Sequence, residues 1–176
     1  MKITKKWLQE RGAGQWPWEE LADWFPSQKE TNGVKIIKTL IAENKFSKAS
    51  WFIIHQMNYK QYLSYAVFSI QQVMDIYEKK YPEDKSLRKT IKAVNKCIND
   101  PSKENRKTAQ AVGSGYTYIN GYAAEKVGSA VRDIVTAAAH RIAPAAGVAV
   151  LKACKAGGKE VSTRIFNYGI KLLEAK

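Results

Sequence analysis

Along the stretch Asn58 to Tyr81, the residues Tyr62, Ala66, Ile70, Val73 and Tyr77 recur every three or four positions, and Leu63, Val67 and Met74 widen the stripe. Such spacing puts apolar side chains on one side of an α-helix, where residues i, i+3 and i+4 share a face. Apolar residues on so much of the circumference predict a central helix touched from several sides. No run in the chain alternates long enough to argue a sheet; the four residues Tyr116-Thr117-Tyr118-Ile119 are at most a short extended piece. The expected class is therefore all-α.

Caps and breakers divide the remainder into further helices. Thr4 is placed to cap Lys5 to Arg11, which stops at Gly12. Trp16-Pro17-Trp18-Glu19-Glu20 opens a short helix, with proline in the first turn and acids at its positive end, and Phe25-Pro26 closes it. Asn32 starts a helix carrying Val34, Ile37, Leu40 and Ile41 on one face and Lys35 and Lys38 outside it. Ser47 is expected to cap Lys48 to Met57, and Asp84 to cap Lys85 to Asn99, whose inner stripe is Leu87, Ile91, Val94 and Ile98. Asp100-Pro101 then opens a helix from Ser102 to about Val112.

Near residue 113 the texture changes to Gly and Ala, while Val127, Val131, Ile134, Val135, Ala138 and Ile142 keep helical spacing. Small residues allow helix axes to approach closely, so this part reads as a tightly packed helical hairpin, broken or kinked at Pro144. Gly157-Gly158 separates a last helix, Lys159 to Ala175. An Ala-rich half lacks the bulky side chains for a core of its own and is expected to pack on the aromatic-rich first half. The reading is one helical domain over 1–176: Trp-rich helices at 1–31, a helical core at 32–112, Ala/Gly-rich helices at 113–176. A chain of 176 residues can bury roughly two-thirds of its unfolded surface without staples.

The chain begins basic but has no apolar run of the signal-peptide kind after Lys6. The most apolar stretch, Ile134 to Cys154, is interrupted by His140, Arg141, Pro144 and Lys152, so no membrane span is expected. Cys97 and Cys154 stand far apart in apolar contexts; two thiols could close one disulfide, but the favoured reading is two buried free thiols in a reducing cytoplasm.

Catalysis needs polar groups that converge, and none can be assembled. His55 and His140 lack Cys, Asp or Glu at ligand spacing and read as satisfied core or boundary histidines, so neither a metal nor a catalytic residue is assigned. Gly113-Ser114-Gly115 and Gly157-Gly158-Lys159 do not complete a phosphate loop, and no cofactor is expected. Glu19-Glu20 and Glu83-Asp84 are explained by their places at helix starts.

Charge offers more. The formal net charge is +13, which favours acidic partners. Lys85, Lys89, Lys92 and Lys96 lie on one helical stripe opposite the apolar one; Arg88 flanks it, and Lys103, Arg106 and Lys107 follow on the next helix. Against these eight bases stand only Asp100 and Glu104. This is the candidate binding face, to be weighed against the solvated outer side of an amphipathic helix. Trp16, Trp18, Tyr116, Tyr118 and Tyr122 are candidate aromatic contacts, since exposed aromatics anchor interfaces; otherwise they close over a core.

Two stretches carry a family likeness. One is Phe46-Ser47-Lys48-Ala49-Ser50-Trp51-Phe52-Ile53-Ile54. The other starts at Tyr62-Leu63-Ser64-Tyr65-Ala66, continues through Ile76-Tyr77-Glu78-Lys79-Lys80-Tyr81-Pro82-Glu83-Asp84-Lys85, and ends in Arg88-Lys89-Thr90-Ile91-Lys92-Ala93. Over roughly residues 34 to 112 the chain resembles the immunity-protein domain family of bacterial polymorphic toxin loci and phages. The opening Ile3-Thr4-Lys5-Lys6-Trp7-Leu8 also resembles phage-borne relatives. The resemblance implies a non-enzymatic helical protein of the bacterial cytoplasm that neutralises a toxin or, when phage-encoded, a host-defence effector. It supplies no catalytic residues. The alternative from another class is a basic nucleic-acid binder using phosphate-backbone contacts, although no helix-turn-helix or RNA-binding signature accompanies the basic stripe. A third reading is a structural component that self-associates through its small-residue helices.

Overall fold

The Thr4 hydroxyl accepts a hydrogen bond from the Trp7 backbone N–H (3.1 Å) and starts α1, Lys5–Glu10, as its sequence predicts. This comes from a computed structural model, which describes residues 2–11, 31–113 and 123–175. Just before the cap, the two-residue strand β1 (Lys2–Ile3) pairs antiparallel with β2 (Thr31–Asn32), Lys2 opposite Asn32. The pairing carries Ile3 and Leu8 into the core, both fully buried. Apart from it, the described chain is helical and forms one bundle.

Asn32 then caps α2, Gly33–Ala42, accepting from the N–H groups of Val34 (2.9 Å) and Lys35 (3.4 Å). The turn after α2 is set by Asn44 at φ 58°, with Lys45 N–H reaching back to the Leu40 carbonyl (2.8 Å) and Asn44 N–H to that of Ile41 (3.0 Å). That is a Schellman closure, which asparagine tolerates in the left-handed region. It starts α3, Phe46–Gln56, directly behind the turn, so Ser47 falls inside the first helical turn and does not cap it. The early start also seats Phe46 on Phe166, with ring centroids 5.3 Å apart.

Asn58 and Gln61 form a reciprocal capping box on α4, Tyr59–Gln71. The expected continuous helix to Tyr81 is broken at Gln72–Val73, and α5 is a separate segment, Met74–Lys80. No proline or glycine causes the break. Val73, fully buried with φ −130° and ψ 8°, packs so closely on Gly157 that a Cβ added there would lie 2.8 Å from its Cγ1. The tertiary contact outweighs local propensity and turns α5 toward the start of α8 (Ala123–His140), where Lys80 and the Tyr81 hydroxyl both reach Glu125. Those bonds hold the Glu125 carboxyl below its ordinary pKa.

Asp84 acts one step earlier than expected. Lys85 occupies the N-cap position of α6 (Ser86–Asn99), while Asp84 accepts from the Ser86 N–H (2.8 Å) and the Tyr77 hydroxyl (2.7 Å). The Ser86 and Tyr77 hydrogen bonds depress its pKa. The Ser102 hydroxyl accepts from the Asn105 N–H (3.3 Å) at the start of α7, Lys103–Gly113, and Asp100 accepts from the Ser102 N–H (3.1 Å). The cap is thus Ser102 instead of Asp100, and Pro101 lies before the helix instead of in its first turn.

Arg141-Ile142 link α8 to α9, Ala143–Glu174, and Pro144 stands in the first turn of α9, where its missing N–H is harmless. The long α9 bends at Gly158 (φ 76°, ψ −168°), a conformation that only glycine adopts without strain. The buried Ser162 hydroxyl bonds the Gly158 carbonyl (2.7 Å) across the bend. The separate last helix expected after Gly157-Gly158 is thus the second arm of α9.

The hub of the bundle is α9, which packs on α8, α4 and α3, while α4 is itself touched from several sides, by α9, α6 and α8, as its sequence predicts. Its Gly169 lies on the Tyr65 ring of α4, and Tyr168 stacks on Phe68 at 4.0 Å. The Ala/Gly-rich helices therefore pack on the aromatic-rich ones, as their composition predicts. Cys97 and Cys154 are both free and buried. Among the described residues, no helix is long and apolar enough to cross a membrane.

Tyr65 is fully buried, and its hydroxyl has no hydrogen-bond partner among the described residues. Burial raises its pKa well above the ordinary value, so it stays a neutral phenol. An unmet hydroxyl costs its desolvation. Tyr65→Phe is therefore expected to stabilise the fold by about 1 kcal/mol in urea denaturation.

Candidate binding face

Helix α6 has its apolar and charged residues on opposite sides. Leu87, Thr90, Ile91, Ala93, Val94 and Cys97 face inward, and Ile98 is half-buried. Lys85, Lys89, Lys92 and Lys96 are exposed on the other side. Lys103 and Lys107, exposed on α7, extend the same hairpin's basic surface. Among the described residues, no carboxylate lies within ion-pair distance of Lys89, Lys92, Lys96, Lys103 or Lys107.

Two of the eight predicted bases are set apart from the free lysines, one by an ion pair and one by burial. Arg88 is held by Glu78 of α5 through a fork, Nε to Oε1 at 2.5 Å and Nη2 to Oε2 at 2.7 Å. The Glu78 hydrogen bond pushes its pKa up, and its charge is neutralised. Arg106 is half-buried, its Nε out of reach of solvent. Lys85 stays exposed but donates to the Pro82 carbonyl (2.6 Å). The free stripe is thus carried mainly by lysines.

Like charges four residues apart on a helix cost a few tenths of a kcal/mol each. Lys85–Lys89 and Lys92–Lys96 are such pairs, and α6 places no glutamate between them. The local acids are engaged or outnumbered: Asp100 accepts from Ser102 and Asn105 at the start of α7, leaving Glu104. Chemically this surface can attract anions and pair with carboxylates or phosphates.

The candidate aromatics Trp16, Trp18, Tyr116, Tyr118 and Tyr122 lie outside the described residues. The described aromatic cluster is instead Trp7, Trp51, Phe52 and His55, joining α1 to α3. His55 stacks on Trp51 at 4.0 Å, and its Nδ1 lies 2.8 Å from the Trp51 carbonyl. Burial lowers its pKa and favours the neutral ring, while the bond that Nδ1–H donates to the Trp51 carbonyl acts in the opposite direction. It is the satisfied histidine expected. His140 is exposed at the end of α8, not buried in it. Among the described residues, no three His, Cys, Asp or Glu side chains come together as a metal site would need.

Two polar assemblies escaped the sequence reading. Asp133 and Lys152 pair at 2.6 Å between α8 and α9. The signal for Asp133 was present, since a carboxylate sits in the apolar stripe of Val131, Ile134 and Val135. Tyr59 of α4 donates to the Ala138 carbonyl and lies under the Arg141 guanidinium, and nothing in their spacing announces it. A groove of about 710 Å³ between α2 and the end of α9 is lined by Val34, Lys35, Lys38, Leu173 and Glu174, with Lys38 3.8 Å from Glu174. It holds no convergent catalytic set.

No protein-family model, no curated protein and no solved structure matches this chain.

Proposed function

We propose that this chain is a non-enzymatic binding protein, and that the lysine face of α6 and α7 seats on an acidic surface of a protein effector. The carrying observation is that Lys89, Lys92, Lys96, Lys103 and Lys107 are exposed and lack ion-pair partners among the described residues. The resemblance of residues 34–112 to immunity proteins makes the effector a bacterial toxin or a host-defence component, met in the cytoplasm. Neutralisation is then occlusion: a rigid helical bundle covers the effector's working surface. The basic face steers encounter and sets orientation, which is the main contribution of charge at such interfaces.

The test uses the protein as bait in a nuclease-treated bacterial lysate at two salt concentrations, beside the triple variant Lys89→Glu, Lys92→Glu, Lys96→Glu. One stoichiometric protein partner, captured by the parent and lost by the variant, is the expected result. With that partner purified, reversing three charges is expected to slow association at low salt by about ten-fold or more, and by less at high salt. Equal association of parent and correctly folded variant would remove α6 from the interface. Capture only of nucleic acid, released by digestion or salt, would favour the phosphate-backbone reading instead.

A further inference from the structure

The groove between α2 and the end of α9 has a volume of about 710 Å³, inside the range of about 300–1,000 Å³ that small-molecule sites occupy. Its apolar lining is Leu173, buried, and Val34, half-buried. The polar lining comes mostly from one side. Asn32, Lys35 and Thr39 follow at i, i+3 and i+7 and share a stripe of α2 about 10 Å long, with Lys38 beside them.

Each residue of that stripe offers a donor that the fold does not use. The Asn32 Oδ1 is engaged by the N–H groups of Val34 and Lys35, which leaves its Nδ2 to donate elsewhere. Among the described residues, neither that Nδ2, the Lys35 ammonium nor the Thr39 hydroxyl has a partner. Thr39 differs in this from Thr108, Thr136 and Thr163, which each return the hydroxyl to the carbonyl four residues back. A helical threonine without that bond keeps its hydroxyl for another acceptor. The charges do not cancel either. Lys38 lies 3.8 Å from Glu174 in an exposed pair of the weak kind, and Lys35 has no carboxylate. Two ammonium groups against one carboxylate leave the lining with one net positive charge.

We propose that this groove binds a small aliphatic carboxylic acid as its anion, with the carboxylate between Lys35 and Thr39 and the alkyl chain over Val34 and Leu173. Side chains four residues apart on a helix stand about 5–6 Å apart at Cβ, so one carboxylate can meet both. A carboxylate only accepts hydrogen bonds, and the stripe only needs acceptors. One net positive charge answers a monoanion, whereas a dianion would call for a second free cation. The alkyl chain removes apolar lining from water, which a charge alone would not do. Glu174 opposes the anion and competes for Lys38, so its carboxylate limits affinity. Neither α6 nor α7 lines this groove, and the site does not depend on what the lysine face binds.

The probe is hexanoate at neutral pH, where it is ionised, titrated into the full chain at constant ionic strength. Acetate, which has the charge alone, and hexanol, which has the chain alone, run beside it. Backbone amide resonances are followed. The expected result is a saturable hexanoate shift confined to the first two turns of α2 and the end of α9. Its dissociation constant should be on the order of 1 mM, with acetate and hexanol each about ten-fold weaker or more. Lys35→Gln is expected to weaken hexanoate binding about three-fold, the screened value of an exposed charge, and Glu174→Gln to strengthen it about two-fold. Both positions are exposed, so both variants keep the fold. Lys89→Gln, Lys92→Gln and Lys96→Gln together should leave binding unchanged, whereas non-specific attraction to the net charge of +13 would fall with them. Acetate or hexanol matching hexanoate, shifts scattered over the basic surface, or unchanged affinity in Lys35→Gln would overturn the site. The lysine-face function would stand in each of those cases.

Discussion

Asp133→Ala is expected to destabilise the protein by about 3 kcal/mol, read as a lower urea midpoint at unchanged slope. Asp133 is 7% exposed, and its carboxylate lies 2.6 Å from the Lys152 ammonium, which also donates to the buried Ser129 (2.7 Å). Removing one member of a buried pair takes the opposite charge away from the other in a poorly solvated place, and that penalty is larger than the net value of the pair. The Lys152 side chain keeps a fifth of its surface exposed, so its ammonium can partly recover water. This puts the cost near the lower end of the range for buried pairs. Lys152→Met should cost a similar amount. The double variant Asp133→Leu, Lys152→Met should recover most of the loss, because no charge then stays buried. If the two single losses simply add in the double variant, the pair is not coupled and the argument fails. The pair joins α8 to α9, whose Ala-rich surfaces could otherwise slide with little change in packing.

Gly169→Val is expected to cost about 3 kcal/mol. A Cβ at position 169 would stand 2.8 Å from Cζ and 2.9 Å from Cε2 of Tyr65, and 3.2 Å from Cγ2 of Ile53. Both neighbours are fully buried, so neither can swing into solvent. Alanine in a helix interior would gain about 1 kcal/mol over glycine in propensity. Valine keeps only part of that gain and adds two methyl groups to the clash. Tyr65→Leu shortens the opposing side chain, and Gly169→Val in that background should cost distinctly less than in the parent. Equal costs in the two backgrounds, measured by denaturant titration, would mean that the helices separate at this crossing instead of meeting through it.

Both positions show how unevenly the fold can be read from residues in order. Asp133 interrupts an apolar stripe and can be noticed there, but Lys152 is one lysine among many until α9 folds back. Gly169 resembles any glycine near a chain end, and only the crossing of α9 over α4 gives it a neighbour. The same holds for Arg106 and Arg88. Each continues a basic pattern in the sequence, yet Glu78 claims Arg88, and Arg106 is half-buried with its Nε closed to solvent. The lysines of α6 were legible because a helical stripe is a property of one element.

The sequence by itself determined the all-α class, the extent of most helices, the inward stripe of α6 and the lysines opposite it. These follow from the 3.6-residue period and from caps such as Thr4, Asn32 and Asn58, which act within one turn. Tertiary structure decided the break at Val73, the role of α9 as hub, the buried Asp133–Lys152 pair and the seat of Arg141 over Tyr59. The physical reason is range. Caps and periodicity are local free energies of about 1 kcal/mol or less per residue, while burial against a distant helix supplies more than that and overrides them.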